Sequence, residues 1–163
     1  MRSSCLTATT RPDFSGFGLV RGLLSMLDES SEFGARAARR LREEKLAWLT
    51  TVSPRGTPQP VPVWFLWDEP DSILLYSRPG MPKLRNLEHN PHLSLHLDGD
   101  GRGGNIVVCL GEGRVSSDPP ADRLPEYVSK YTWGFERNGW SAAQFASLYS
   151  VSIRITVRRI RGH

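Results

Sequence analysis

Prolines occupy alternate positions 58, 60 and 62 of Pro58-Gln59-Pro60-Val61-Pro62-Val63-Trp64-Phe65, and no other feature restricts the fold of this chain as tightly. The valines and aromatics around them favour a strand. Backbone N–H groups point to alternate sides of a strand, so residues 58, 60 and 62 would all donate toward the same side. Proline removes each of those donors. One flank therefore cannot join an ordinary ladder, and the segment is an edge or faces something other than a strand. A protected edge that resists aggregation is one reading. The other is a backbone presented to a planar ligand, with Val61, Val63 or Trp64 against it.

The flanking sequence supplies the rest of a β fold. Residues 46–52, 59–67 and 73–77 read as three strands of an antiparallel meander, joined by Ser53-Pro54-Arg55-Gly56 and Asp68-Glu69-Pro70-Asp71. In residues 92–98, Leu93, Leu95 and Leu97 alternate with His92, Ser94 and His96. Residues 105–116 form a fifth strand in which Gly111 and Gly113 predict a bend or bulge. Val151, Ile153, Ile155 and Val157 alternate with Ser152, Arg154, Thr156 and Arg158 in a closing, half-buried strand. Helices are predicted over 32–44, with Ser30 or Ser31 as N-cap, from Pro82 to Asn90-Pro91, from Pro119-Pro120 to about Tyr131, and over 141–148. There is no βαβ alternation and no internal repeat. A Greek-key or split barrel of antiparallel strands fits best, and the fold class is mainly β with peripheral α: a six-stranded antiparallel split β-barrel. Residues 1–33, rich in Ser, Thr, Gly, Pro and Asp without a period, read as a flexible N-terminal extension, with Met26 an alternative start. Residues 34–163 make one domain, since a chain of 163 residues holds one ordinary core rather than two.

The net charge of +4 suits nucleic acid, acidic lipid or a small anionic ligand. No long Lys/Arg block and no nucleic-acid motif occurs, so nucleic acid is not an expected partner. No apolar run reaches the length of a membrane span. The stretch 17–27, broken by Gly18, Arg21, Gly22 and Ser25, lacks the order of a signal peptide. The expected location is cytoplasmic. Cys5 lies in a polar tail, and Cys109, within Ile106-Val107-Val108-Cys109-Leu110, reads as a small buried hydrophobe. A disulfide between them is not expected.

The segment Tyr76-Ser77-Arg78-Pro79-Gly80-Met81-Pro82-Lys83 ends a strand, turns, and starts a helix with a cation in its first turn. That cation opposes the helix dipole. An anion there would resolve the conflict, held by backbone N–H groups, Ser77 and Lys83, with Arg78 and Arg85 to assist. A solvated basic turn is the alternative. His89, His92 and His96 lack metal-ligand spacing, and His92 and His96 stand roughly 13 Å apart along a strand, so no metal is expected. Trp133-Gly134-Phe135 is read as a loop whose rings need a pocket or a partner to cover them. No Ser/His/Asp arrangement, P-loop, GxGxxG or CxxC is present, so catalytic residues stay unassigned. Tyr127 and Tyr131 are proton-donor candidates by residue type only.

Four stretches resemble the pyridoxamine-phosphate-oxidase-like, FMN-binding split barrels over about residues 34 to 162. They are residues 46–52, residues 56–65, Ser77 through Leu87 with Asn90-Pro91, and residues 154–162. Within that family the chain is similar to the actinobacterial branch that uses the deazaflavin coenzyme F-420. The most specific element is Lys-x-x-Asn-Leu-x-x-Asn-Pro, formed by Lys83, Asn86, Leu87, Asn90 and Pro91. The resemblance implies a homodimer with two cofactor sites at its interface. Lys83 would hold the cofactor phosphate with Ser77 and Arg78 near it. The backbone of Val61, Pro62, Val63 and Trp64, and the side chain of Gln59, would line the deazaflavin ring, while Asn86 braces the helix. It further implies hydride transfer from the reduced deazaflavin to a small unsaturated or carbonyl-containing organic substrate. In such a reaction the cofactor holds the chemistry, and the protein orients and excludes water. The cofactor's glutamate tail is compatible with the basic excess. Where some relatives have a basic residue two positions before the lysine, this chain has Met81. An FMN-dependent reductase or oxidase, and a non-catalytic flavin, deazaflavin or haem binder, are the alternatives.

Overall fold

The computed structural model describes residues 27–68 and 70–163. Helix α1 (Glu32–Glu43) leads into seven strands: β1 (Ala47–Val52), β2 (Pro58–Val63), β3 (Phe65–Asp68), β4 (Ser72–Ser77), β5 (His92–His96), β6 (Val107–Val115) and β7 (Val151–Gly162). Helix α2 (Pro82–His89) lies between β4 and β5. Helices α3 (Pro125–Asn138) and α4 (Ala142–Leu148) lie between β6 and β7. The strands pair antiparallel throughout, in the spatial order β2-β1-β5-β6-β7-β4-β3. This is a mainly β split barrel, and its two outermost strands are consecutive in the chain.

The strand expected over 59–67 is two strands, which raises the count from six to seven. β2 pairs with β1, with Val61 opposite Leu49. After Trp64 the chain pairs at the other margin of the sheet, with Phe65 opposite Leu75 of β4. The prolines dictate the first half of this arrangement. A residue's N–H and C=O point the same way in a strand, so Gln59, Val61 and Val63 bond to β1. The outer flank of β2 then shows three proline carbonyls and no donor, and no further strand can pair there. At the switch, the Phe65 N–H donates to the hydroxyl of Tyr131 at 2.6 Å, a side chain standing in for a strand.

The barrel interior packs Leu49, Phe65, Ile73, Leu75, Leu95 and Ile155 against Ala37, Ala38 and Leu41 of α1 and Leu87 of α2. A second, aromatic cluster lies beyond β4, where Leu74 and Tyr76 meet Tyr127, Tyr131 and Phe135 of α3 and Phe145 of α4. β4 is thus covered on both faces, which is why Ile73-Leu74-Leu75-Tyr76 is apolar throughout instead of alternating. The expected bulge in β6 falls between Leu110 and Gly111. A Cβ on Gly111 would lie 2.3 Å from the Thr156 carbonyl oxygen, so only glycine fits.

Of the expected extension, residues 1–26, with Cys5, lie outside the described residues. Leu27 is buried against the core, and Ser31 caps α1 by accepting from the Gly34 N–H at 3.0 Å. Cys109 is a buried free thiol, pushed up to about 12 by burial. No helix among the described residues is long and apolar enough to cross a membrane.

Trp133-Gly134-Phe135 is not a loop. Helix α3 runs through it to Asn138 and stops where Gly139 adopts a left-handed φ of 67°. Glycine weakens a helix interior, yet the helix continues through position 134. The requirement for it is tertiary, a close approach by Trp64.

On the same side, Arg154 of β7 pairs with both Asp68 and Asp118. Its hydrogen bonds hold the Asp118 carboxyl below its ordinary value. Asp118 is therefore harder to protonate folded than unfolded. This contribution is full above about pH 4, the unfolded value, and is lost as the pH falls through the lower folded value. Asp118→Asn is expected to flatten the acid limb of the stability curve below about pH 4, measured by thermal unfolding across a pH series.

Candidate functional site

The turn from β4 into α2 places a cation where a helix attracts anions. Pro82 and Lys83 open the helix, its first turn holds no acidic residue, and Met81 supplies no side-chain cap. The Lys83 ammonium donates to the Ser77 hydroxyl at 3.2 Å. Ser77 is fully buried, and its hydroxyl donates to the Arg78 carbonyl at 3.0 Å. Burial lowers the Lys83 pKa from its ordinary value. The helix end and the partly desolvated ammonium both favour an incoming anion. Asn86 anchors this arrangement from one turn further on. It is buried, and its side-chain amide donates to Thr51 at 2.9 Å and to the Gln59 side chain at 2.8 Å. α2 is thereby tied to β1 and β2, so Asn86 braces the helix.

Beside Lys83 lies a cavity of about 270 Å³. Pro62, Val63 and Trp64 form one wall at the β2–β3 switch. Trp140, Phe145 and Tyr149 form another, and Leu46, Tyr76 and Asn138 complete the lining. The lining is dominated by rings, with one ammonium. Such a space suits a flat conjugated system that carries an anion at one end.

The expected site residues divide into three groups. Pro62, Val63, Trp64 and Lys83 line the cavity, and Ser77 stands one hydrogen bond behind Lys83. Arg78 is exposed, its guanidinium 5.0 Å from the ring centre of Tyr149, a cavity residue. Val61 packs on the barrel core. Gln59 is turned to Asn86 and borders a separate groove with Ser53, Arg55, Thr57 and Arg85.

The two tyrosines offered as proton donors line no part of the cavity. Both are fully buried. The Tyr131 hydroxyl serves the backbone of Phe65 and Lys45, and burial raises the pKa of both tyrosines. Tyr76, which does line the cavity, donates to the Pro119 carbonyl. Its hydroxyl is pushed up to about 12, first by burial and then by Asp118. Of the lining residues not assigned beforehand, Phe145 and Tyr149 carried a signal. They stand four apart at the end of α4, and their rings stack at 4.6 Å. Leu46 and Asn138 carried none.

A family model described as pyridoxamine 5'-phosphate oxidase matches residues 33–163. None of the curated proteins matches the chain. Among solved structures, the chain is similar to a conserved hypothetical protein from Mycobacterium tuberculosis. That similarity has 25% identity and a TM-score of 0.61, and covers 80% of this chain and 82% of the other. An FAD-binding protein from Mesorhizobium loti is similar at 20% identity and a TM-score of 0.56, covering 77% and 88%. An F-420 reductase is similar at 21% identity and a TM-score of 0.55, covering 76% and 94%. At these identities the last two likenesses concern the fold.

Proposed function

Because the chain belongs to the pyridoxamine 5'-phosphate oxidase family, we propose that it is an oxidoreductase holding a phosphate-bearing flavin-type cofactor. The cofactor in this reading is coenzyme F-420, and the hydride acceptor is a small unsaturated or carbonyl-containing molecule. The observation that carries the proposal is the Lys83–Ser77 pair at the start of α2, opening onto a ring-lined cavity. Lys83 holds the phosphate, and Arg78 adds a second cation from the same turn. Pro62, Val63 and Trp64 on one side, and Trp140 and Tyr149 on the other, exclude water from the ring and orient it. Tyr76, with its hydroxyl committed to Pro119, serves as a wall. When bound, the cofactor supplies the hydride.

Two observations support the finer parts of this reading. The Arg55–Arg85 groove beside Gln59 suits the glutamate carboxylates of the deazaflavin's tail, which FMN lacks. The cavity, at about 270 Å³, is smaller than the roughly 300–1,000 Å³ of complete small-molecule sites, so a second copy is proposed to finish it. The outer face of β1, β5 and β6 suits that role. It presents Trp48, Thr50, Ser94, His96, Val108 and Leu110, all half-buried and none part of either core cluster. The Lys83 pair reads a phosphate common to both cofactors, which keeps an FMN enzyme as the second reading.

Equilibrium dialysis of the full chain against F-420 and FMN, with sedimentation of the loaded protein, tests these points. Retention of F-420 at two per dimer, and oxidation of reduced F-420 by added enones, is the expected result. Retention of FMN alone moves the protein to the second reading. Retention of neither overturns the proposal.

A further inference from the structure

Gly134 stands buried in the interior of α3, where alanine is the better helix former. A Cβ at 134 would lie 2.4 Å from Cη2 and 2.6 Å from Cζ2 of Trp64, closer than carbon atoms pack. The indole is confined on its other sides. Tyr131 stacks on it at 4.7 Å and 7°, Phe145 at 5.4 Å and 22°, Trp133 is tilted beside it at 5.8 Å, and Phe135 meets it edge-on at 5.9 Å. Its backbone is confined too, because the next N–H is held by Tyr131 from the same helix. The indole also lines the cavity with Pro62 and Val63.

We propose that Gly134 is a positioning residue of the site: by lacking a side chain it lets α3 close on Trp64 and sets how far the indole reaches into the cavity. This rests on the cofactor reading above. A methyl group at 134 drives the indole into the space for the ring, while Lys83 and Ser77, on other elements, keep their places. The effect therefore falls on ring binding and spares the phosphate contact.

The test compares Gly134→Ala, Trp64→Phe and the double variant of the full chain. Phenylalanine lacks the indole carbons that a Cβ at 134 would strike. Gly134→Ala is expected to weaken retention of the cofactor that the wild type binds by about tenfold, and by less than about twofold when Phe replaces Trp64. Competition by inorganic phosphate should be unchanged. Equal losses in both backgrounds, or no loss beside Trp64, would overturn the inference. If Gly134→Ala does not fold, the double variant is expected to fold and bind, and its failure to fold also overturns it. If the wild type retains neither cofactor, the cofactor reading fails separately. Positioning is then judged by near-ultraviolet circular dichroism, where an aromatic signal unaltered by Gly134→Ala counts against it.

Discussion

Lys83→Ala is expected to weaken retention of the phosphate-bearing cofactor by roughly 10- to 100-fold without loss of fold stability. A charge-assisted hydrogen bond contributes about 1.5–3 kcal/mol, or roughly 10- to 100-fold in affinity. Lys83 is the cation placed both on the cavity and at the helix start. Stability should respond in the opposite sense. Burial sets the folded pKa of Lys83 below its unfolded value of 10.5. Between those two values the unfolded chain binds more protons, so this group makes stability rise with pH through that window. Its unfavourable effect is fully present below the folded pKa, at neutral pH included. Removing the ammonium relieves that cost, and Lys83→Met does so while keeping most of the aliphatic stem. Dialysis and thermal unfolding on the same variants check both halves. A variant that retains cofactor at wild-type affinity would place the phosphate elsewhere. One that loses both binding and stability would make Lys83 a structural partner of Ser77.

Tyr131→Phe is expected to destabilise the fold by about 2–3 kcal/mol, because the buried Phe65 N–H loses its acceptor. In a chain of this size that corresponds to a fall of roughly 5–10 °C in the unfolding midpoint. The hydroxyl also donates to one of two carbonyls, Phe65 at 2.8 Å or Lys45 at 3.0 Å, so its loss leaves that carbonyl unmet as well. The ring itself, and its stack on Trp64, is retained by phenylalanine. The loss should therefore appear as faster amide hydrogen exchange at Phe65 and a lower midpoint. Tyr127→Phe is the control. The Tyr127 hydroxyl is buried without a partner, so its removal should be neutral or stabilising. Equal destabilisation by both substitutions would show that phenolic packing, not the bond to Phe65, holds the switch.

Part of the candidate site was legible where a residue type narrows the physical options. Lysine in the first turn of a helix reads as an anion site or a solvated basic turn, and Lys83 lines the cavity. Glycine in mid-strand reads as a bulge, and Gly111 makes one. Trp133-Gly134-Phe135 reads as a loop, but it is helix, and the glycine there answers a tertiary need. Its cause is the ring of Trp64, 70 positions earlier in the chain, which no local pattern reports. Tyr131 was assigned a role by type, and the fold gave it another, since its partner Phe65 lies 66 residues away.

By itself the sequence determined local matters: which flank of β2 can pair, which faces of β5 and β7 are buried, and where α2 begins with a cation. Those follow from missing N–H groups, two-residue alternation and the helix dipole, each acting over a few residues. The tertiary structure alone decided that the chain breaks at Trp64 to reach both margins of the sheet. It also decided that α3 continues past Gly134, and that Trp140, Phe145 and Tyr149 line one cavity with Pro62, Val63 and Trp64. These depend on the strand order β2-β1-β5-β6-β7-β4-β3, and contacts between distant segments exist only once that order has formed.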